Sequence, residues 1–377
     1  MRVATVKGSL LIPPTYFAVQ HPLLLADRVN SRIFTGAAEI APSVDLGGIQ
    51  VVDTTAQLRP FGGLPVRQRE RLSLLMAGRT ARAVTAWRPD IIHQHVAYSS
   101  RAAVIAARSG TPLVVTVHGG DAFAPLREGR GLGVTARASL ARMKRDIRGA
   151  FARADRILAV SDYLAEVAVL AGAPADRVHV HRQGVDIDAF APALRMPRST
   201  PRVLFVGALT ETKGARDLLQ AADGLDAEIR FAGAGPLEGE LRTRAETDRR
   251  LTILGRVARE AVVAEMQQAD VLVLPTRVNR GAREAAGLVL LEAQAVGTPV
   301  IAYDSGGTSE MIDEGRSGLL APEGDIGALG ERLRHVLALG VEERSAMRER
   351  ARAFVVAERS AQQAAEQLFE TYQDLLR

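Results

Sequence analysis

The sequence predicts two parallel α/β domains in tandem, on three observations. Short β-branched runs alternate with helical patterns almost from end to end, a cluster of prolines interrupts that alternation once, and 377 residues exceed one comfortable core. The first half offers strands at 3–6, 32–35, 49–52, 90–93, 113–117, 156–160 and 178–181. Helices fall between them, at about 66–87, 101–108 and 135–152. The segment 192–201 (PALRMPRSTP) then breaks the pattern and reads as a linker. The second half repeats the scheme with strands at 203–206, 229–232, 251–254, 271–274 and 299–303, and 362–375 reads as an amphipathic helix with no strand after it. The expected division is therefore 1–194 and 195–357, with a terminal helix over 358–377 packing back on the first domain. Ligands of open parallel sheets bind at the carboxyl ends of the strands, so a cleft between the two domains is where chemistry is expected.

Composition narrows the class. Hydrophobic residues make up 47% and charged residues 24%, which is globular and leaves no room for a disordered or fibrous chain. There is no cysteine, so disulfides, thiolate metal sites and a cysteine nucleophile drop out, and a reducing cytoplasm fits. No apolar run approaches membrane-spanning length. A net charge of +5 favours anionic ligands in general. Nucleic acid is not expected as a partner, because aromatic content of 4% supplies few platforms for base stacking. Arginine-rich helices at 67–88 and 137–156 have the charge that an anionic membrane face attracts, and packing against the sheet explains the same spacing. The expected location is cytoplasmic, with peripheral contact at the inner membrane face in view.

Three segments carry candidate chemistry. In the first, the apolar strand VLVLPT is followed by a loop with Arg277, Arg280 and Arg283 and then by EAAGLVLLEAQAVGTPV. Gly287 opens a helix there, which places the backbone N–H groups of Ala286, Gly287, Leu288 and Val289 at a helix N-terminus, suited to a pyrophosphate. Glu284 precedes that helix and Glu292 follows within it, two carboxylates spaced to read the two ends of a nucleotide sugar. A cap and a solvated helix residue are the plain alternatives. The second segment is VLFVGALTETKGARDLL, where Lys213 follows a strand end and can neutralise a diphosphate as a point charge. The third is PLVVTVHGGDAF, where His118 stands as the strand stops and can bond a sugar hydroxyl or assist a departing phosphate.

In order and separation these segments resemble the retaining glycosyltransferases of family four, which have the GT-B fold of two Rossmann-like domains. The motifs GTPVIAYDSGGTSEMI, SGLLAP, ADRILAVSDYL and GVDIDAFAP follow that family's pattern, while the first eighty residues match poorly. The resemblance implies that Lys213 contacts the diphosphate, Arg256 and Val257 the base, Glu292 the ribose, Glu284 hydroxyls of the transferred sugar, and His118 the sugar near the reacting centre. It implies transfer from a nucleoside-diphosphate sugar, UDP- or GDP-linked, to a hydroxyl of a glycan, glycolipid or small-molecule acceptor. Anomeric configuration is kept, with no cofactor and no metal. Gly8, in the loop that is normally a glycine pair, and Asp121 are the acceptor-side candidates. One departure stands out: the arginine usual after the glycine of the VGRL strand end is Ala208 here, and Arg280 or Arg283 is the expected replacement as a diphosphate contact.

Other readings compete. Two H-x-H patterns, His93-Gln94-His95 and His179-Val180-His181, could each chelate zinc in a metal-dependent hydrolase. The glycines of GAGPLEG have the wrong spacing for a dinucleotide site, and Asp186-Ile187-Asp188 is a chance match to the D-x-D of another transferase fold. A sugar-nucleotide epimerase of the same architecture would bind the donor but need no acceptor, and a two-domain sugar-binding protein would lack catalysis.

Overall fold

The computed structural model describes residues 1–377 apart from 13–15, 43, 59–60, 130, 197, 279–280 and 282. The chain forms two compact units, Met1–Arg182 with Ala361–Arg377, and Gln183–Ser360. Strands of the first unit are β1 (Arg2–Ile12), β2 (Asn30–Ile40), β3 (Gln50–Asp53), β4 (Ile91–His95), β5 (Leu113–Val117), β6 (Arg156–Ala159) and β7 (Val178–Val180). They lie in the order β3-β2-β1-β4-β5-β6-β7, every neighbouring pair parallel. The second unit holds β8 (Arg202–Val206), β9 (Glu228–Ala232), β10 (Leu251–Gly255), β11 (Val271–Leu274), β12 (Val300–Asp304) and β13 (Gly318–Pro322). Their order is β10-β9-β8-β11-β12-β13, again all parallel.

Helices on both faces explain why the central strands read as unbroken apolar runs. All five residues of β5 (LVVTV) and all four of β11 (VLVL) are buried. Each buried valine or leucine contributes roughly 1.5–3 kcal/mol relative to exposure, and the runs have no polar face to misalign.

Strand order reverses once in each sheet, between β1 and β4 and between β8 and β11, and at such a switch point a crevice opens beyond the strand ends. Pairing of β1 with β4 stops at Val6 and Gln94, whereas β1 runs on beside β2 as far as Ile12 and Ile40. In the second sheet β8 and β11 pair only through Val203–Val271 and Leu204–Leu272. Lys7 and Gly8, and the turns after β8 and β11, therefore lie where neighbouring strands part.

Three features differ from the sequence expectation. Strands β1 and β2 are eleven residues each, because Lys7, Gly8, Ser9 and Gly36, which look like loop residues, remain paired with the neighbouring strand or continue it. The helix expected at 66–87 is two, Val66–Ser73 and Ala77–Trp87; the Ser73 hydroxyl donates back to the Glu70 carbonyl at 2.7 Å, a local bond that competes with the helical ladder. Strand β13 takes in GLLAP of the SGLLAP motif, a strand that the apolar patterning does not assign.

The unit boundary falls at Arg182/Gln183 rather than 194/195. The intervening segment is tied to the second unit: the Arg352 guanidinium donates to the carbonyls of Ile187 and Phe190, Gln267 Nε2 to that of Ala191 at 2.8 Å, and Val185 bridges Ser360. The C-terminal helix Ala361–Asp374 belongs to the first unit. Its Ala365, Leu368 and Tyr372 join Val3, Leu25, Ile91 and Val114 in one core, and Glu366 pairs with Arg28.

Candidate functional site

In the second unit the switch point gathers most of the expected donor-side residues. The turn after β8 delivers Lys213, and Gly214 caps the helix Ala215–Ala221 with φ +72°. A Cβ at Gly214 would lie 2.0 Å from the Pro275 carbonyl oxygen, so the turns after β8 and β11 are pressed together in a way only glycine permits. Arg277 N donates to the Thr212 carbonyl at 2.7 Å and ties them again. Across this junction the Lys213 ammonium pairs with the Glu284 carboxylate, which also accepts from the Thr276 hydroxyl at 3.2 Å. The Glu284 carbonyl accepts from Gly307 N at 2.9 Å, which fixes the segment ahead of the next helix.

That helix is Leu288–Ala295, with Gly287 at its N-cap in a left-handed conformation, φ +84°. Ala286, just before it, is buried. Glycine brings no side chain to cap the helix, so its opening N–H groups at Leu288 and Val289 stay open to an anionic ligand. Little more than a turn on, the half-buried Glu292 carboxylate accepts no hydrogen bond from any described residue. Burial pushes its pKa up, with Arg259 opposing. Strand β10 ends at Gly255, φ +67°, and there the exposed Arg256 and half-buried Val257 follow.

The arginines that could stand in for the one missing at Ala208 differ in their surroundings. Arg283 Nε donates to Glu323 at 3.1 Å, and Glu323 also accepts from the Ser305 hydroxyl at 2.9 Å, so that charge is matched locally. Arg280 lies outside the described residues. Arg277, beside the Lys213 turn, pairs with Asp217, whose carboxylate also accepts from the Tyr303 hydroxyl at 2.8 Å. Sequence reasoning noted Arg277 without assigning it; the position directly after the Pro275-Thr276 strand end was the available signal.

In the first unit, His118 follows β5. Its backbone N–H and that of Gly119 donate to Asp121 Oδ1 at 3.0 and 2.9 Å, and Ala97 N donates to Oδ2 at 2.9 Å. Asp121 is thus 1% exposed and shapes the turn that presents His118. The His118 ring lies 4.0 Å, centroid to centroid, from Phe17 and shares a 3.0 Å hydrogen bond with His95. His95 stacks on His93 at 4.3 Å, and His93 bonds the Tyr372 hydroxyl at 2.6 Å and the Thr116 hydroxyl at 2.7 Å. His181 donates to the Ala364 carbonyl at 2.8 Å. Burial, and then neighbouring charges, hold His93 and His118 down to about 3, so these rings are neutral, each with one donor and one acceptor nitrogen. The first H-x-H pair is therefore part of a stacked, hydrogen-bonded histidine row, and His179 of the second bonds Arg156. Among the described residues no group of three or more histidines or carboxylates is placed to hold a metal ion.

Gly8 lies beside Lys7, which sequence reasoning passed over. Lys7 shares a strand face with Val3 and Thr5 and is 5% exposed. A charged residue at the inward register of an apolar strand was the signal. No helix among the described residues is long and apolar enough to cross a membrane.

Comparison with known proteins bears on the same two halves. Residues 186–354 match the family described as Glycosyl transferases group 1, and residues 28–189 match Glycosyltransferase Family 4. A D-inositol 3-phosphate glycosyltransferase of Xylanimonas cellulosilytica is 31% identical over 355 residues, covering 81% of this chain and 78% of its own. The amylovoran biosynthesis glycosyltransferase AmsK of Erwinia amylovora is 31% identical over 209 residues, 53% of this chain and 51% of that one, so the chain spans about half of that relative. Among solved structures, Anabaena HepE in complex with UDP and glucose has a TM-score of 0.76 at 18% identity, covering 99% of each chain. Sucrose-phosphate synthase from Thermosynechococcus elongatus has a TM-score of 0.75 at 20% identity, covering 100% of this chain and 99% of that one. At such identities the likeness to solved structures is one of fold.

Proposed function

We propose that this chain, which belongs to the glycosyltransferases of family 4 and carries their group 1 half, transfers a sugar from a nucleoside-diphosphate sugar to an acceptor hydroxyl with retention of anomeric configuration. The observation that carries the reading is the Lys213–Glu284 pair set beside the Gly287-opened helix, with an unpartnered Glu292 farther along it. Lysine and glutamate here satisfy each other. With donor present, the diphosphate takes the ammonium and the helix N–H groups, and the transferred sugar's hydroxyls take Glu284. Glu292, its pKa raised by burial, gains hydrogen bonds from ribose hydroxyls. Arg256 and Val257 lie where the base is read.

Bond cleavage puts negative charge on the leaving diphosphate. Lys213, the helix N-terminus and Arg277 are fixed in position before that charge develops, and such preorganisation supplies catalysis without a metal ion or a protein nucleophile. His118 is neutral in the pH range of the reaction, so it bonds a sugar hydroxyl or the departing phosphate as a dipole rather than as a cation. HepE, a structural neighbour, was solved with UDP and glucose and with UDP-glucose, which supports a UDP-linked donor.

A thermal-shift screen of UDP-, GDP-, TDP- and ADP-sugars tests the reading. A ligand at a hundredfold its Kd stabilises the native state by about 2.7 kcal/mol, a shift of a few degrees. Lys213→Ala and Glu292→Ala are expected to abolish that shift; if the double variant responds to every activated sugar as the native chain does, the assignment falls. Release of nucleoside diphosphate only when acceptor is added distinguishes transfer from epimerisation.

A further inference from the structure

The acceptor side of the first unit allows a more specific statement, which rests on the activity proposed above. Beyond the last β1–β4 rung, Lys7 and Gly8 line a cavity of about 680 Å³. Its walls include Arg67, Glu70 and Arg71 of the helix Val66–Ser73, Tyr98 of the turn after β4, and Arg142 of the helix Val134–Arg153. Four cations thus line the cavity with Glu70, and one of them, Arg142, is paired with Asp146 of its own helix at 3.4 Å. Lys7 is 5% exposed, and its ammonium makes no hydrogen bond or ion pair with any described residue. Asp121 and Glu70 act on that ammonium electrostatically without bonding it, and a ligand oxyanion would satisfy its donors directly. Arg67 and Arg71 are one helical turn apart on the same face and likewise pair with no described residue.

This arrangement is built in rather than left to solvent. Arg69 on the same helix is buried against Asp53 and donates to the carbonyls of Leu64 at 3.1 Å and Ala38 at 2.8 Å, which anchors the helix to the sheet. A Cβ on Gly8 would come within 2.5 Å of Ser99 Cβ, so glycine lets the cavity floor close against the turn after β4. Lys7 also acts electrostatically on the His118 imidazole, so the cavity adjoins the ring assigned to the reacting sugar.

We propose that the acceptor carries a phosphate group, bound in this cavity by Lys7, Arg67, Arg71 and Arg142. A phosphate monoester holds about −1.5 to −2 charges at neutral pH and three acceptor oxygens, which matches the excess left by Lys7, Arg67 and Arg71 against Glu70 better than a neutral sugar or a single carboxylate does. The phosphate can belong to a soluble phosphorylated polyol or sugar, or to a lipid headgroup.

The test titrates inorganic phosphate into the full chain held at saturating UDP, which fills any donor-side phosphate site. Saturable phosphate binding is expected, weakened roughly tenfold or more in Lys7→Gln and in the exposed Arg71→Ala, with UDP affinity altered less than about threefold. Phosphate that binds the native chain no better than both variants, or not at all, overturns the proposal. Failure of UDP to bind would sink the donor assignment alone, since the same titration without UDP still reads the cavity. Displacement by glycerol 3-phosphate identifies a soluble phosphomonoester, and displacement only by vesicles containing phosphatidic acid, not phosphatidylcholine, identifies a headgroup. Displacement by neither counts against the proposal.

Discussion

Acid should destabilise the first unit steeply, and the histidine row fixes both sign and size. His93 and His118 are held down to about 3 by burial, against 6.5 for an unfolded histidine. Between those values the unfolded chain binds protons that the folded unit refuses, so stability is complete above pH 6.5 and is lost as pH falls towards 3. Each ring contributes about 1.4 kcal/mol per pH unit, so the two together remove about 4 kcal/mol between pH 6.5 and 5. Asp121, whose carboxyl is raised by burial, works in the opposite sense, and comparison with a His93→Gln variant isolates the imidazole. The single tryptophan, Trp87, packs on Phe34 within this unit, so its fluorescence during urea unfolding reports the right transition. Burial also lowers His21 and His95, so the native chain should lose at least roughly 2 M in urea midpoint from pH 7.5 to 5.0, given a slope of about 2 kcal/mol/M. His93→Gln should lose less than the native chain, by about 1 M. A midpoint that stays put over that range, or a variant with the native pH dependence, refutes the argument.

Further outcomes follow from the site and its scaffold. Both arginines have a carboxylate partner, but only Arg277 is bonded to the Lys213 turn, so Arg277→Ala should weaken UDP-sugar binding by about 3- to 10-fold and Arg283→Ala by less than about twofold; calorimetric Kd values decide, and the reverse order rejects the placement. Gly214→Ala should cost more than about 2 kcal/mol of second-unit stability and abolish donor binding, since its Cβ collides with the Pro275 carbonyl; a urea midpoint within error of the native chain would contradict this. Arg69→Met leaves the half-buried Asp53 with only its backbone and hydroxyl donors and should cost up to roughly 3 kcal/mol in the Trp87-detected transition, with Asp53→Asn/Arg69→Met together costing less than the single change.

Much of the architecture was legible because it is written in apolar runs. The runs LVVTV and VLVL have no polar alternation, so they announce buried parallel strands, and their bounds agree with the structure residue for residue. The donor-side cluster was legible for the same reason: Lys213, Glu284 and Gly287 follow directly on strand ends at a switch point. Lys7 was not, since a lysine next to glycine and serine reads as the close of a strand, and only pairing of β1 with β2 shows that the strand continues. Arg277 and Arg283 looked alike in sequence. Each has a distant carboxylate partner, Asp217 and Glu323, and their difference is made by the bond from Arg277 N to the Thr212 carbonyl of the Lys213 turn, none of which a local pattern reveals. The break at Ser73 arises from a hydroxyl-to-carbonyl bond that competes with the helix and that helical periodicity does not register.

Because the helix Ala361–Asp374 completes the first unit, vectorial synthesis leaves that unit unfinished until this helix has left the ribosome, after the whole second unit. Until then the Tyr372 hydroxyl is missing from His93 and the Ala364 carbonyl from His181, and Val3, Leu25 and Ile91 lack their covering side chains. The second unit, continuous from Gln183 to Ser360, can close first. Nascent chains stalled before residue 361 should therefore be protease-sensitive in their earlier half and resistant in their later half, the inverse of the order in which the two were made.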